Sequence, residues 1–239
     1  MRALIAIACH SWPQYFGLAL ESALRLGLDV AAFIDQGSHA IQYKRLAERY
    51  SQENPGAIMR WQVLDTTGTA SSRNAAFAYA KHRHYDFVIP LDDDDILLAD
   101  AGEMLVLQKR TRANIVYGDF MMFDEEGLQP ISCPEFSSER LHQRPFISST
   151  SLISVDAWKA VRRRFGQGYD SEMDRLGGWE DYLFYIQADR LGFKFTHLPL
   201  PVLGWRQHED GRTSRANENI PAIVEYMRGK TGIADLYPT

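Results

Sequence analysis

Cysteine is nearly missing from this chain: Cys9 and Cys133 are the only two among 239 residues, and neither belongs to a pair with metal-ligand spacing. A disulfide scaffold is thereby excluded, and two free thiols in a reducing compartment are expected. Positive charge is not in excess either. Lys and Arg number 26 against 31 Asp and Glu, a formal net charge of −5, which argues against a protein whose business is gripping nucleic acid. No apolar run is long enough to span a bilayer. The opening "MRALIAIACHSW" is too short for that and has no small-residue cleavage pattern after it, so it reads as the first β-strand of a cytoplasmic protein, peripheral at most to the inner membrane face. Repeats and linkers are absent, which leaves a single domain over 1–239 as the economical reading. Disorder is excluded by 45% hydrophobic and 24% charged residues, ordinary values for a globular chain.

What the chain does have is alternation. Strand-like "ALIAIAC" (3–9) is followed by helix-period "QYFGLALESALRLG" (14–27), then by "DVAAFID" (29–35) and a charged helix around 39–50. "IMRWQVL" (58–64), the helix "TASSRNAAFAYAKHR" (69–83) and "YDFVIPL" (85–91) continue the pattern. Strand and helix in turn imply βαβ units and a parallel sheet flanked by helices. The second half reads as mixed. A strand in 113–128 turns at Glu126-Gly127, "ISSTSLISV" (147–155) is another strand, and "DAWKAVRRR" and "WEDYLFYIQADRLG" are helices. Extended chain in 193–208 and a helix carrying Ile220, Ile223, Val224 and Met227 complete it. The glycine-rich "GQGYDSEMDRLGG" (166–178) reads as a flexible loop.

In open α/β sheets ligands bind beyond the carboxyl ends of the strands. Two acidic stretches fall there, "IDQGS" (34–38) and "LDDDDI" (91–96). Four adjacent aspartates repel one another, and three explanations compete with plain helix capping. A calcium loop fails, because its turn glycine and distant glutamate are missing. An aspartyl-phosphate chemistry fits the local Asp-x-Asp, but the second acidic pair it needs is poorly supplied by "YGDFMMFDEEG". The third is a hard divalent cation, Mn2+ or Mg2+, held by one or two carboxylates and completed by the diphosphate of a nucleotide.

The order of these motifs resembles the family-2 glycosyltransferases, nucleotide-sugar-dependent enzymes with the GT-A fold. "IDQGS" is similar to that family's Asp-Asp-Gly-Ser, "GTASSRNAAFAYA" to its Gly-x-x-x-Ala-Arg-Asn helix and "PLDDDDIL" to its Leu-Asp-x-Asp-Asp. "IVYGDFMMFDEEG", "GGWEDYLFYIQADRLGFKF" and "WRQH" follow in the family's order. The resemblance implies a single GT-A domain, a Rossmann-like, mostly parallel sheet flanked by helices. Its nucleotide-binding half would span 1–100, and 101–239 would form a smaller, mixed acceptor-binding half.

By the same resemblance, Asp35 contacts the nucleobase, His10 takes the place of a stacking aromatic, and Arg73 contacts the nucleotide. Asp92 and Asp93 lie by the ribose and metal, Asp94 is the principal metal ligand, and His208 approaches from the C-terminal side. The general base is Asp181, with Glu180 as the alternative, since a carboxylate must take the proton of the attacking hydroxyl. The implied reaction is inverting, from a nucleotide-sugar donor, taken as a UDP-sugar, to a glycan, lipid-linked or other hydroxyl acceptor. Gln36 departs from the family's second acid, and the Gln-x-x-Arg-Trp signature of processive enzymes is absent. A catalytically silent nucleotide-sugar module and the same chemistry on a modified DNA base stay open as alternatives. His82, His84, His142 and His197 have no ligand partners at useful spacing and read as surface or satisfied core residues.

Overall fold

Seven consecutive residues, Ala3–Cys9, form strand β1, and every one of them is buried. A strand reads as a continuous apolar run when helices cover both faces of its sheet. The computed structural model, which describes residues 1–54, 59–124, 127–207 and 216–237, shows that arrangement. Strands β2 (Asp29–Ile34), β3 (Met59–Val63) and β4 (Phe87–Asp92) follow β1 in the chain, all parallel in the order β3-β2-β1-β4. Helices α1 (Phe16–Leu24), α2 (Ala40–Glu53) and α3 (Thr69–His82) make the crossovers.

Beyond β4 the sheet becomes mixed. Strands β5 (Ile96–Leu97), β6 (Ile115–Phe123), β7 (Leu128–Ile131), β8 (Leu152–Ser154) and β9 (Phe195–Arg206) extend it to nine strands. The pairs β4-β8, β8-β6, β6-β7 and β5-β9 are antiparallel and β6-β9 is parallel. The parallel order expected from the alternation therefore holds for the first half, and the second half is mixed as expected. Its helices are α4 (Glu103–Thr111), α5 (Ser138–Gln143), α6 (Val155–Phe165), α7 (Glu172–Leu176), α8 (Glu180–Arg190) and α9 (Ile220–Thr231).

The strand period of two splits the core. Leu4, Ala6, Phe33 and Val88 face α3, α6 and α8, whereas Ile5, Ile7, Ile34 and Leu91 face α1, α2 and α4. Helix α8 is buried from Tyr182 to Ala188, Gln187 included, where it packs against α5 and α6. Among the described residues no helix is long and apolar enough to cross a membrane.

Two expectations need correction. The strand read over 147–155 is shortened to Leu152–Ser154. Upstream, the Ser148 hydroxyl donates to the Thr150 carbonyl and the Ser151 hydroxyl to the Ser148 carbonyl. Such hydroxyl bonds offer the backbone an alternative to a sheet ladder. The loop 166–178 is held, not loose. Tyr169, Asp170 and Met173 are buried, and the Asn74 amide accepts from Trp158 Nε1 and Tyr169 N and donates to the Tyr169 carbonyl at 2.7–3.0 Å. Gly168 permits this, because a Cβ there would collide with the Trp158 indole. The turn read at Glu126-Gly127 falls partly outside the described residues.

Candidate active site

Strand order reverses between β1, which leads to β2 on one side, and β4, which lies on the other. The crevice at such a switch point is where α/β sheets bind ligands. Ala8 pairs with Asp92 and Cys9 with Ile34, so His10, Asp35 and the aspartate run all emerge at this one edge.

A cleft of about 620 Å³ opens there, lined by His10, Trp12, His39, Thr67 and Gly68 on one side and by Ser171, Asp174 and Arg175 on the other. Asp35 stands behind it at 1% exposure. Its carboxylate accepts from His10 Nδ1 and from the Gly37 and Gly68 amides, the latter two at 2.9 Å. Burial works against its charge, but the His10 bond and the two amides outweigh it and hold its pKa below the ordinary value. His10 is the side chain facing the cleft, and Asp35 anchors it. Across the cleft, Asp174 accepts from the Ala70 amide at 3.1 Å and caps α3, which has no side-chain cap of its own. Gly68 makes room for that carboxylate in a backbone conformation, φ 98°, that disfavours other residues.

The four aspartates alternate. Asp93 and Asp95 are 4% and 3% exposed, while Asp92 and Asp94 remain partly open. Asp93 accepts from the amides of His10 at 2.9 Å and Trp12 at 3.3 Å and from the Tyr43 hydroxyl, so it fastens the turn after β1. Asp95 accepts from the Arg206 amide at 2.9 Å and ties down the end of β9. Burial, then the charge of Asp94, pushes the Asp93 pKa up to about 7, although Tyr43 and the His10 amide pull it down. Burial and the Asp94 and Asp92 charges push Asp95 well up too. Negative charge is in excess here.

Arg73 joins the two halves of the chain. Its Nη2 donates to both oxygens of Asp92 at 2.8 and 3.0 Å, and its Nη1 donates to Glu180 Oε1 at 2.5 Å. Burial opposes its charge, yet Asp92, Glu180 and Asp181 raise its pKa well above the usual value. This guanidinium is 4% exposed, and both of its Nη atoms bind carboxylates. Glu180 is 3% exposed, whereas its neighbour Asp181 stays partly open and lines a second cavity. Trp179 makes the step between them and the preceding loop with φ 68°.

Asp181 has the more accessible carboxylate of the two. Burial, then the Glu180 charge, raises its pKa to about 6, against the opposing pull of Arg73 and the Tyr182 amide. Only the ionised form is a base, so the rate is expected to climb as pH rises through about 6 and to level above it. The acid limb of a pH–rate profile checks this, and a limb near pH 4 would contradict it.

His208 lies outside the described residues. Arg206 was not singled out by sequence, yet its guanidinium sits over the Tyr15 and Phe123 rings at 4.1 and 4.5 Å and its Nε donates to the Asp94 carbonyl at 2.9 Å. Its signal was the Arg-x-His spacing, read for the histidine alone.

The family described as Glycosyl transferase family 2 matches the chain over residues 4–165. No curated protein matches it. Among solved structures, S. aureus TarS 1-349 in complex with UDP-GlcNAc superposes with a TM-score of 0.73 at 16% identity, covering 96% of this chain and 66% of that one. Longer S. aureus TarS gives a TM-score of 0.69 at 16% identity, with 96% of this chain and 39% of that one covered. Mannosyltransferase PcManGT from Pyrobaculum calidifontis, in complex with GDP-Man and Mn2+, gives 0.62 at 12% identity over 99% of this chain and 72% of that one. At these identities the superpositions speak for the fold. The chain spans just under two thirds of the TarS fragment and about two fifths of the longer TarS.

Proposed function

The chain belongs to glycosyl transferase family 2, and from that premise we propose that it moves one sugar from a nucleoside-diphosphate sugar to an acceptor hydroxyl. The observation that carries the reading is the meeting of Asp92, Arg73, Glu180 and Asp181 at the switch-point crevice, from three elements far apart in sequence.

The nucleotide occupies the cleft beside His10, with the diphosphate toward Asp92 and Asp94. Those residues suit a hard divalent cation: their donors are carboxylate oxygens, and Asp93 and Asp95 beside them add negative charge that a cation would offset. Such a cation takes the rest of its shell from diphosphate and water. Asp94 and Asp92 would hold Mn2+ or Mg2+, with His208 as the further ligand, and the cation would supply positive charge against the departing diphosphate.

Asp181 takes the proton of the acceptor O–H while that oxygen bonds to the anomeric carbon. The anomeric C–O bond to the diphosphate breaks on the other side, and its electron pair leaves with the nucleoside diphosphate. One displacement inverts the configuration, and no enzyme nucleophile is required. Arg73 holds Glu180 and Asp92 in register, which fixes the first turn of α8 against the donor side. Addition is single, in assembly of a surface glycan or glycoconjugate.

The test is release of nucleoside diphosphate from a panel of nucleotide sugars in the presence of Mn2+ or Mg2+. UDP-GlcNAc and GDP-Man come first because the two neighbours are bound to them, and UDP is the expected nucleotide. Release from no donor, with or without acceptor, would sink the reading. Asp94→Ala is expected to lower donor affinity measured with Mn2+ to its value without Mn2+. A variant that keeps the full metal-dependent gain in calorimetry would remove Asp94 from the metal site.

A further inference from the structure

The second cavity, of about 290 Å³, has a character of its own. Asp92, Glu180 and Asp181 contribute carboxylates to it, and Phe120, Phe146, Trp179 and Trp205 contribute rings. All four rings are only partly buried. Phe120 and Trp205 pack edge to face, with centroids 5.9 Å apart and planes at 74°, so they brace each other and leave ring surface toward the cavity. Large aromatic surface left uncovered beside carboxylates is an amphipathic wall, and its complement is an amphipathic ligand.

Charge narrows the choice. Asp92, Asp95, Glu180 and Asp181 line the cavity, and the one cation among the described lining residues is Arg73. Both of its Nη atoms are committed to Asp92 and Glu180. A phosphate or carboxylate entering here would meet the negative charge of four carboxylates. An alkyl chain would strip water from the carboxylates and return no hydrogen bond. A neutral sugar ring does neither. Its C–H face is apolar and fits an aromatic face, while its hydroxyls donate to carboxylate oxygens. The volume lies at the small end of the range of roughly 300–1,000 Å³ typical of ligand pockets, which suits one ring.

We propose that this cavity binds one neutral pyranose, the terminal sugar of the acceptor, stacked on the Trp205 ring with a hydroxyl directed at Asp181. The assignment of that sugar as acceptor rests on the transferase reading above; the site itself does not. It makes the acceptor a neutral glycan end and rejects a polyol phosphate or a bare lipid alcohol.

The full chain is titrated with methyl pyranosides of glucose, galactose and N-acetylglucosamine, with sn-glycerol 3-phosphate and with octanol, and saturation transfer from protein to ligand protons is recorded by NMR. At least one pyranoside is expected to bind, and glycerol phosphate and octanol are not. Trp205→Ala is expected to weaken the pyranoside by about ten-fold or more, and Trp205→Phe to restore most of it. Circular dichroism confirms that each variant is folded. Binding of glycerol phosphate or octanol in place of a pyranoside overturns the proposal, as does a folded Trp205→Ala with unchanged pyranoside affinity. Because the measurement needs no donor, pyranoside binding at Trp205 in a chain that releases no nucleoside diphosphate supports the sugar site and overturns the transferase reading alone.

Discussion

Replacing Asp181 by Asn is expected to slow sugar transfer by roughly 10²–10⁴-fold, the usual contribution of a positioned base, while nucleotide affinity stays near native. The two effects separate because Asp181 lines the 290 Å³ cavity and not the cleft beside His10. The Asn side chain has the size of Asp but cannot accept a proton. Glu180→Gln gives the contrast. Glu180 receives Arg73 at 2.5 Å, so that change weakens a buried ion pair and disturbs position as well as charge. Stability supplies a second readout. The folded-state pKa of Asp181, about 6, lies above its ordinary 3.8, so the folded chain binds the extra proton between those values and loses stability as pH rises through them. Above pH 6 the Asn variant is therefore expected to melt higher than the native chain, and below pH 4 the difference should vanish. Near-native turnover in Asp181→Asn would end its assignment as the base. A lower melting temperature at pH 7 would contradict the burial argument.

Much of the fold can be read from the sequence because strand and helix periods are strong in the first half. "ALIAIAC", "DVAAFID" and "YDFVIPL" become β1, β2 and β4 within two residues at each end. The resemblance of the ordered motifs to family-2 glycosyltransferases agrees with the family match. His197 is a satisfied core residue as expected, with Nε2 2.8 Å from Asp119 Oδ1 and the ring stacked on Tyr117. The alternating exposure of the aspartates could not be read, because β4 ends at Asp92 and a turn follows in which the Asp95 amide donates to the Asp92 carbonyl at 3.3 Å. Partners remote in sequence could not be read. Nothing local to Arg73 announces Glu180, 107 residues away, and nothing in a glycine-rich loop announces that Asn74 pins it. The serines of 147–151 look extended by composition and are turned by their own hydroxyls.

The largest effect on stability is expected at Arg73. Its side chain and that of Glu180 are each 4% exposed, while Asp92 is 31% exposed. Arg73→Met removes the guanidinium that donates to the buried Glu180 carboxylate, and removing one member of a buried pair costs about 3–5 kcal/mol. Against a whole-protein stability of about 5–15 kcal/mol, the Met variant is expected to be marginal at 37 °C, as urea unfolding would report. Arg73→Lys keeps the charge but cannot fork. A single ammonium reaches Asp92 or Glu180 and not both in the native geometry, so an intermediate loss is expected and the fold persists. The Lys variant then isolates the catalytic consequence. Arg73 pulls the Asp181 pKa down against burial and Glu180, so retaining a cation keeps the acid limb near pH 6, while Arg73→Gln moves it upward. The sign follows from the charge alone: a base that has lost a nearby cation holds its proton to higher pH. If Arg73→Gln unfolds at the same urea concentration as the native chain, or shows its acid limb at an unchanged pH, then Arg73 does not join the donor side to the base.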